Sequence, residues 1–191
     1  MKNKIQRLLF LWVFAFCMLA TSAVHGQSKY LDKKGIIVFE ASEALFEEVK
    51  AKSESVTAIF DVVKNEIASL ALIRGFRFKN SLMQEHFNEN YIESDLYPKA
   101  VFRGKIIDFD IKDLGSISKE FRIDGVLEIR EQKKSIAPIV QIQLINKVIS
   151  IQGSFKVLPQ DFDIQIPKIV EDKIAKEVMV RFDFKLLANE N

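Results

Sequence analysis

Two histidines, His25 and His86, and one cysteine, Cys17, are all the imidazole and thiol chemistry that 191 residues offer. A Ser-His-acid arrangement needs a base beside an activated nucleophile. Ser81 and Ser94 flank His86 in sequence, but no G-x-S-x-G turn raises a serine. Glu85, Glu89, Glu93 and Asp95 surround His86 and could offer oxygens to a hard cation, yet their spacing is not that of a calcium loop. A single cysteine excludes an internal disulfide framework and a Cys-rich zinc site. The carboxylate pairs Asp161/Asp163 and Glu171/Asp172 read as charges on solvated loops. No Gly-rich phosphate loop is present. Lys+Arg number 28 against 26 Asp+Glu, a net charge of +2, too balanced for a nucleic-acid binder. The expectation is a protein with no enzymatic activity, no cofactor, no resident metal and no nucleic-acid partner.

The N-terminus reads as a leader. MKNKIQR is basic, LLFLWVFAFCML (8–19) is an unbroken apolar run, and small residues follow up to Gly26. That order is a secretory signal, with cleavage after Gly26. The apolar run is shorter than the roughly 20 residues a spanning helix needs. Phe16 before Cys17 does not suit a lipidation site. Removing residues 1–26 takes away Lys2, Lys4 and Arg7 and no acid, so the exported chain is slightly negative. It keeps one histidine, His86, and no cysteine. Residues 27–191 then form one domain, long enough to bury a core without disulfides.

Period-2 alternation dominates that domain. Residues 35–41 (GIIVFEA) predict a first strand, and residues 42–52 a short helix or irregular excursion. Val56, Ala58, Phe60 and Val62 alternate on a second strand, and Lys64 with Asn65 marks a hairpin turn before residues 66–74. In residues 80–90 the period changes. Leu82, Met83, His86 and Phe87 fit one helix, with Asn80 or Ser81 as N-cap. Residues 91–98 read as a loop. Alternation then resumes through Ala100, Phe102, Gly104 and Ile106, and through Phe121, Ile123, Gly125, Leu127 and Ile129. A turn is expected at 131–134, one strand over 135–145, and a tight turn at Asn146 and Lys147. Ile149, Ile151, Gly153, Phe155 and Val157 share a face. Residues 159–167 look irregular and 168–176 fit a short amphipathic helix. Val178, Val180, Phe182, Phe184 and Leu186 make the last strand. The fold class is all-β with short helical insertions: about eight sequential antiparallel strands closed into a single barrel, with a two-sheet sandwich as the alternative.

Three strands carry glycine in the middle of the apolar face: Gly104, Gly125 and Gly153. Glycine there marks either curvature or an interior left open to a ligand. The expected lining is Phe60, Phe102, Ile123, Leu127, Ile151, Phe155, Phe182 and Phe184, widened by the three glycines. His86 and Tyr91 are candidates for the mouth.

Several stretches resemble the YceI-like family. Glu85, His86 and Phe87, an acidic stretch, and then Tyr97, Pro98 and Phe102 are similar to its Arg-Asp-x-His-Leu … Tyr-Pro-x-x-x-Phe signature. FRIDGVLEI (121–129) and GSFKVLPQDFDI (153–164) resemble two of its strands, and the resemblance runs from about residue 35 to 187. It implies a lipocalin-like barrel in the periplasm with an apolar tunnel for a polyisoprenoid or similar chain. The sequence departs from the family at Met83 and Gln84 (family Arg-Asp), at residues 130–134 (family Gly turn), at residues 158–160 (family Arg), at Asp163 (family Gly), and in the opening strand, which lacks an early His-Ser. The resemblance puts the partner among isoprenoid quinones, isoprenoid alcohols and fatty-chain lipids, carried without chemistry. A packed envelope interaction protein without ligand is the alternative, and an enzyme acting on a bound lipid through His86 a third. Transient membrane contact and two-fold association are compatible with each.

Overall fold

The computed structural model describes residues 28–43 and 46–189. The leader read in residues 1–26 lies outside them. Ten strands form one sheet: β1 Lys29–Ser42, β2 Lys50–Asp61, β3 Glu66–Leu72, β4 Arg77–Phe78, β5 Lys99–Ile106, β6 Lys119–Ile129, β7 Gln132–Ile136, β8 Ile139–Ile145, β9 Val148–Val157 and β10 Ile174–Ala188. Neighbours run β1-β10-β9-β8-β6-β5-β3-β2, all antiparallel, and β2 returns to β1. The eight-stranded ring is therefore a closed barrel and not a sandwich. Two short strands stand off the ring, β7 beside β6 and β4 beside β2.

The alternation turns one side of each strand inward. Val56, Ala58 and Phe60 of β2, Ile106, Ile123, Val140, Ile142, Ile149, Ile151 and Leu186 are buried together in the core. β1 bends to close the ring. Its ladder slips between Asp32 and Gly35 against β2, and between Leu31 and Ile36 against β10. The buried Asp32 carboxylate fills that break, accepting from the Lys34 amide at 2.8 Å and the Lys185 amide at 2.7 Å. Backbone donors freed by the bulge thus keep partners.

The two ends of the barrel differ. At one end the connections are tight. Asn146 and Lys147 both adopt left-handed φ (51° and 66°), as a two-residue hairpin turn requires. The same end is plugged by the segment between β5 and β6. Phe109 sits 5.1 Å from the ring of Phe60 and 5.3 Å from that of Phe121. Asn65 Nδ2 donates to the Phe109 carbonyl at 2.9 Å and holds the plug down. At the other end the chain makes its long excursions, residues 73–98 and 158–173, beside residues 46–49 that lead into β2.

Those excursions hold the helices. Helix α1 spans Ser81–His86 and continues as a π turn, Phe87–Tyr91. Asn80 caps it, its Oδ1 accepting from the Leu82 amide at 2.9 Å and the Met83 amide at 3.4 Å. Pro159–Phe162 is a 3-10 turn. Helix α2, Lys168–Glu171, is a single turn. It is shorter than the expected 168–176 helix because β10 begins at Ile174 and its ladder takes those backbone groups. Of residues 42–52, Ser42 ends β1 and Lys50 to Lys52 open β2, and the described residues between them, 43 and 46–49, lie in neither helix nor strand. The turn expected at 131–134 lies one residue earlier, at Arg130 and Glu131, both with left-handed φ. The single strand expected over 135–145 is cut at Ala137 and Pro138. Among the described residues no helix is long and apolar enough to cross a membrane.

Candidate ligand-binding site

The excursions wall a deep apolar cup at the unplugged end of the barrel. Its volume is about 600 Å³, within the 300–1,000 Å³ common for small-molecule sites. Barrel strands supply Ile37, Phe39, Ala41, Ala71, Ala100, Leu127, Ile129, Phe155, Val157, Val178 and Val180. Excursion 73–98 contributes Ile73, Phe76, Met83, His86, Phe87, Tyr91 and Ile92, and β4 adds Phe78. Excursion 158–173 contributes Phe162, Ile164, Ile166 and Val170.

α1 can do this because Met83, His86, Phe87 and Tyr91 recur at three- and four-residue spacing, on one face. Phe87 joins an aromatic cluster at the wall. Its ring is 5.2 Å from Phe39 and 5.1 Å from Phe78, and Phe39 is 5.3 Å from Phe76. Gln84 and Asn88 fasten the helix. Gln84 Oε1 accepts from the Phe78 amide at 3.3 Å, and Asn88 Nδ2 donates to the Gln84 carbonyl at 2.8 Å.

The floor of the cup is a smaller void of about 60 Å³, bounded by Ile37, Ala71, Ala100, Phe102, Ile123, Leu127, Phe155, Phe182 and Phe184 among others. Below it the barrel is solid. Phe60 and Ile151, expected as lining, are 0% exposed and belong to this packed half, away from the cup walls. The three mid-strand glycines also meet a particular geometry. A Cβ on Gly125 would stand 2.5 Å from the Phe102 ring, one on Gly104 2.8 Å from the same ring, and one on Gly153 2.7 Å from Phe182. Each glycine is the seat of a phenyl ring, and the width it frees is occupied by that ring. Of the remaining expected lining residues, Phe102, Ile123, Phe182 and Phe184 surround the floor, and Leu127 and Phe155 border both spaces. His86 and Tyr91 lie on the wall of the cup.

Polar side chains in the cup are few: Glu47, His86, Tyr91 and Lys173. His86, Glu47 and Lys173 are exposed at the rim and Tyr91 is half-buried. Burial raises the Tyr91 phenol above its ordinary pKa. Two of the four acids near His86 are engaged elsewhere: Asp95 with Arg74, and Glu93 with Arg130. Ser94 is buried and accepts from Arg74 Nε at 3.3 Å. Among the described residues no hydrogen bond joins His86 to Ser81 or Ser94.

Arg130 ties the rim together. From the β6–β7 turn its guanidinium reaches the Glu93 carboxylate and the Asp163 carbonyl, and lies 5.2 Å from the centre of the Tyr97 ring. Lys134 of β7 adds an ion pair to Asp161 at 2.8 Å. Residues of the two longest excursions thus meet on one arginine.

Sequence reasoning missed Phe39, Phe76, Phe78, Phe87 and Phe162. Phe76 and Phe78 alternate, and Phe87 falls four residues after Met83, so the pattern was present. What it lacked was the knowledge of which barrel end stays open.

A closed antiparallel barrel with an apolar cup at one end belongs to the class of barrels that can enclose a small apolar molecule. Comparison with known proteins is consistent with that class. The model of the YceI-like domain family matches residues 18–186, and the chain belongs to that family. No curated protein matches it. Among solved structures it is similar to a polyisoprenoid binding domain from Saccharophagus degradans implicated in plant cell wall breakdown, with a TM-score of 0.73 and 12% identity over 85% of this chain and 99% of that one. It is also similar to Burkholderia cenocepacia BcnA (TM-score 0.64, 14% identity, 79% and 95% covered). The Campylobacter jejuni YCEI protein follows (TM-score 0.56, 16% identity, 73% and 86% covered).

Proposed function

We propose that the protein is an exported carrier of a long-chain lipid, an isoprenoid quinone, isoprenoid alcohol or fatty-chain molecule, held without chemical change. The observation that carries this reading is the cup: about 600 Å³ of space with four polar side chains, most of them at its rim. An apolar chain gains about 0.8 kcal/mol for each CH₂ it buries. Ten such groups contribute on the order of 8 kcal/mol before the cost of immobilisation. Useful affinity then needs no strong polar anchor. The similarity to a domain described as polyisoprenoid binding supports the same ligand class. The leader read in residues 1–26 supports the periplasm as the site of action. The engagement of Ser94 and Asp95 with Arg74, and of Glu93 with Arg130, favours carriage over turnover.

The test is uptake of ubiquinone and farnesol from phosphatidylcholine vesicles by residues 27–191. Ala100 borders both the cup and its floor, so Ala100→Trp should fill the junction. The expected result is saturable uptake by the wild type and at least about a tenfold loss in the variant, equivalent to roughly two fewer buried CH₂ groups. Circular dichroism should be unchanged. No uptake by the wild type, or equal uptake by both, would overturn the reading.

A further inference from the structure

The barrel wall is not laddered all the way up. β7 and β8 run along β6 in one continuous register, Ile136 opposite Gly125 and Ile139 opposite Arg122. On the other side β8 pairs with β9 only from Val140 with Gly153 down to Ile145 with Val148. Continued upward, that register would set Pro138 opposite Phe155 and Ile136 opposite Val157. Among the described residues no backbone hydrogen bond joins β7 to β9. Pro138 has no N–H to give such a ladder, and Gly153 puts no side chain on its last pair. Lys133 and Lys134 on the freed edge of β7 discourage another strand from pairing there.

Near the rim, side chains take over from the ladder. Lys134 meets Asp161, and Arg130 donates to the Asp163 carbonyl. Phe162 between them is turned inward and 1% exposed. The unpaired stretch between this strap and the zipped strands below has Ile136 and Pro138 on one side and Phe155 on the other. A space lies on each side of the sheet near it. Inside, Ile136, Pro138, Phe155 and Phe182 border the void at the floor of the cup. Outside, a shallow groove is bordered by Ile139, Gly153 and, again, Phe182, with the polar Glu120, Gln141, Gln152, Ser154, Arg181 and Asp183 around them. Phe182, half-buried and with its ring seated on Gly153, is the residue that borders both spaces.

We infer that the unpaired stretch between β7 and β9 is a second, lateral opening of the cup, with Phe182 as its door, and that it passes the distal end of a hydrocarbon chain too long for the cup. The inference rests on the lipid-carrier reading. Such a chain keeps its near end beside His86 and Tyr91 and lets its tip out along Ile139. A blind cup, by contrast, would force the excess length back through the rim.

The test is photo-crosslinking with two probes that carry a diazirine at the chain end away from the hydroxyl, one of farnesol length and one of solanesol length. Labelled peptides are mapped by mass spectrometry. The expected result is that the short probe labels the floor, at Phe155 or Ile136, and the long probe labels the outer groove, at Ile139, Gln152 or Ser154. Labelling by the long probe confined to rim residues such as Phe46 or Ile169, with the short probe still at the floor, would overturn the lateral opening and leave the carrier standing. Saturable labelling by neither probe would overturn both.

Discussion

Phe102 lies across two neighbouring strands, over Gly104 of its own strand and Gly125 of the next, which face each other in the ladder. A methyl group on Gly125 would also approach the Arg103 carbonyl at 2.7 Å, and backbone cannot swing aside as a side chain can. Gly125→Ala should therefore destabilise the barrel by roughly 1–3 kcal/mol, the usual cost of overpacking. Urea denaturation checks this through the midpoint at constant slope; an unshifted midpoint would mean that the ring is not held there. Tyr91 makes a second residue-scale prediction. Burial raises its pKa, so the folded protein holds the neutral phenol more tightly than the unfolded chain does. That contribution is complete below the ordinary tyrosine range and is lost as pH climbs through the raised value. Phenolate absorbance should show a tyrosine ionising above the ordinary tyrosine range, and Tyr91→Phe should remove that late step. Much of the inward face was legible residue by residue, since alternation alone set Phe102, Leu127, Phe155 and Phe182 on it. The glycine seats were not legible. Whether a gap is filled depends on where a neighbouring strand's ring lands, and that follows from barrel register, which a single sequence does not display.

The elements that shape the cup are the ones whose boundaries alternation describes least well. The core strands could be read because one face is buried and the other wet. The excursions owe their structure to particular contacts: Asn80 at the start of α1, Gln84 on the Phe78 amide, and Arg130 between Glu93 and Asp163. Arg130 also carries left-handed φ, in a turn that the sequence placed one residue later. Its guanidinium is mostly shielded and its Nε has no partner, so the geometry is set by the two acceptors and the Tyr97 face. Arg130→Ala should free both excursions while leaving the ring of strands intact. Hydrogen exchange would then rise in residues 87–98 and 158–164 and stay slow in β2, β6 and β10. Uniform loss of protection across the barrel would show instead that the arginine supports the whole fold.

At the scale of the molecule, closure and polarity of the ends decide what the barrel can do. The plug around Phe109 fills one end, where Phe60, Ile106, Ile142 and Leu186 leave no space. The other end is held open because aromatic side chains line a wall instead of meeting in the middle. The sequence showed a barrel of about eight strands but not this division, because the segment between β5 and β6 carries no periodic pattern and its single buried Phe109 is indistinguishable from a surface residue by spacing. A half-packed, half-hollow barrel explains how one chain supports both a stable core and a binding space. The measurement that tests this most directly is native mass spectrometry of residues 27–191 secreted by a bacterium and purified without detergent, followed by extraction of whatever is bound. The account predicts one isoprenoid or acyl lipid per chain, lost in Ala100→Trp. A protein of bare mass that also takes up no added quinone or isoprenol would contradict it.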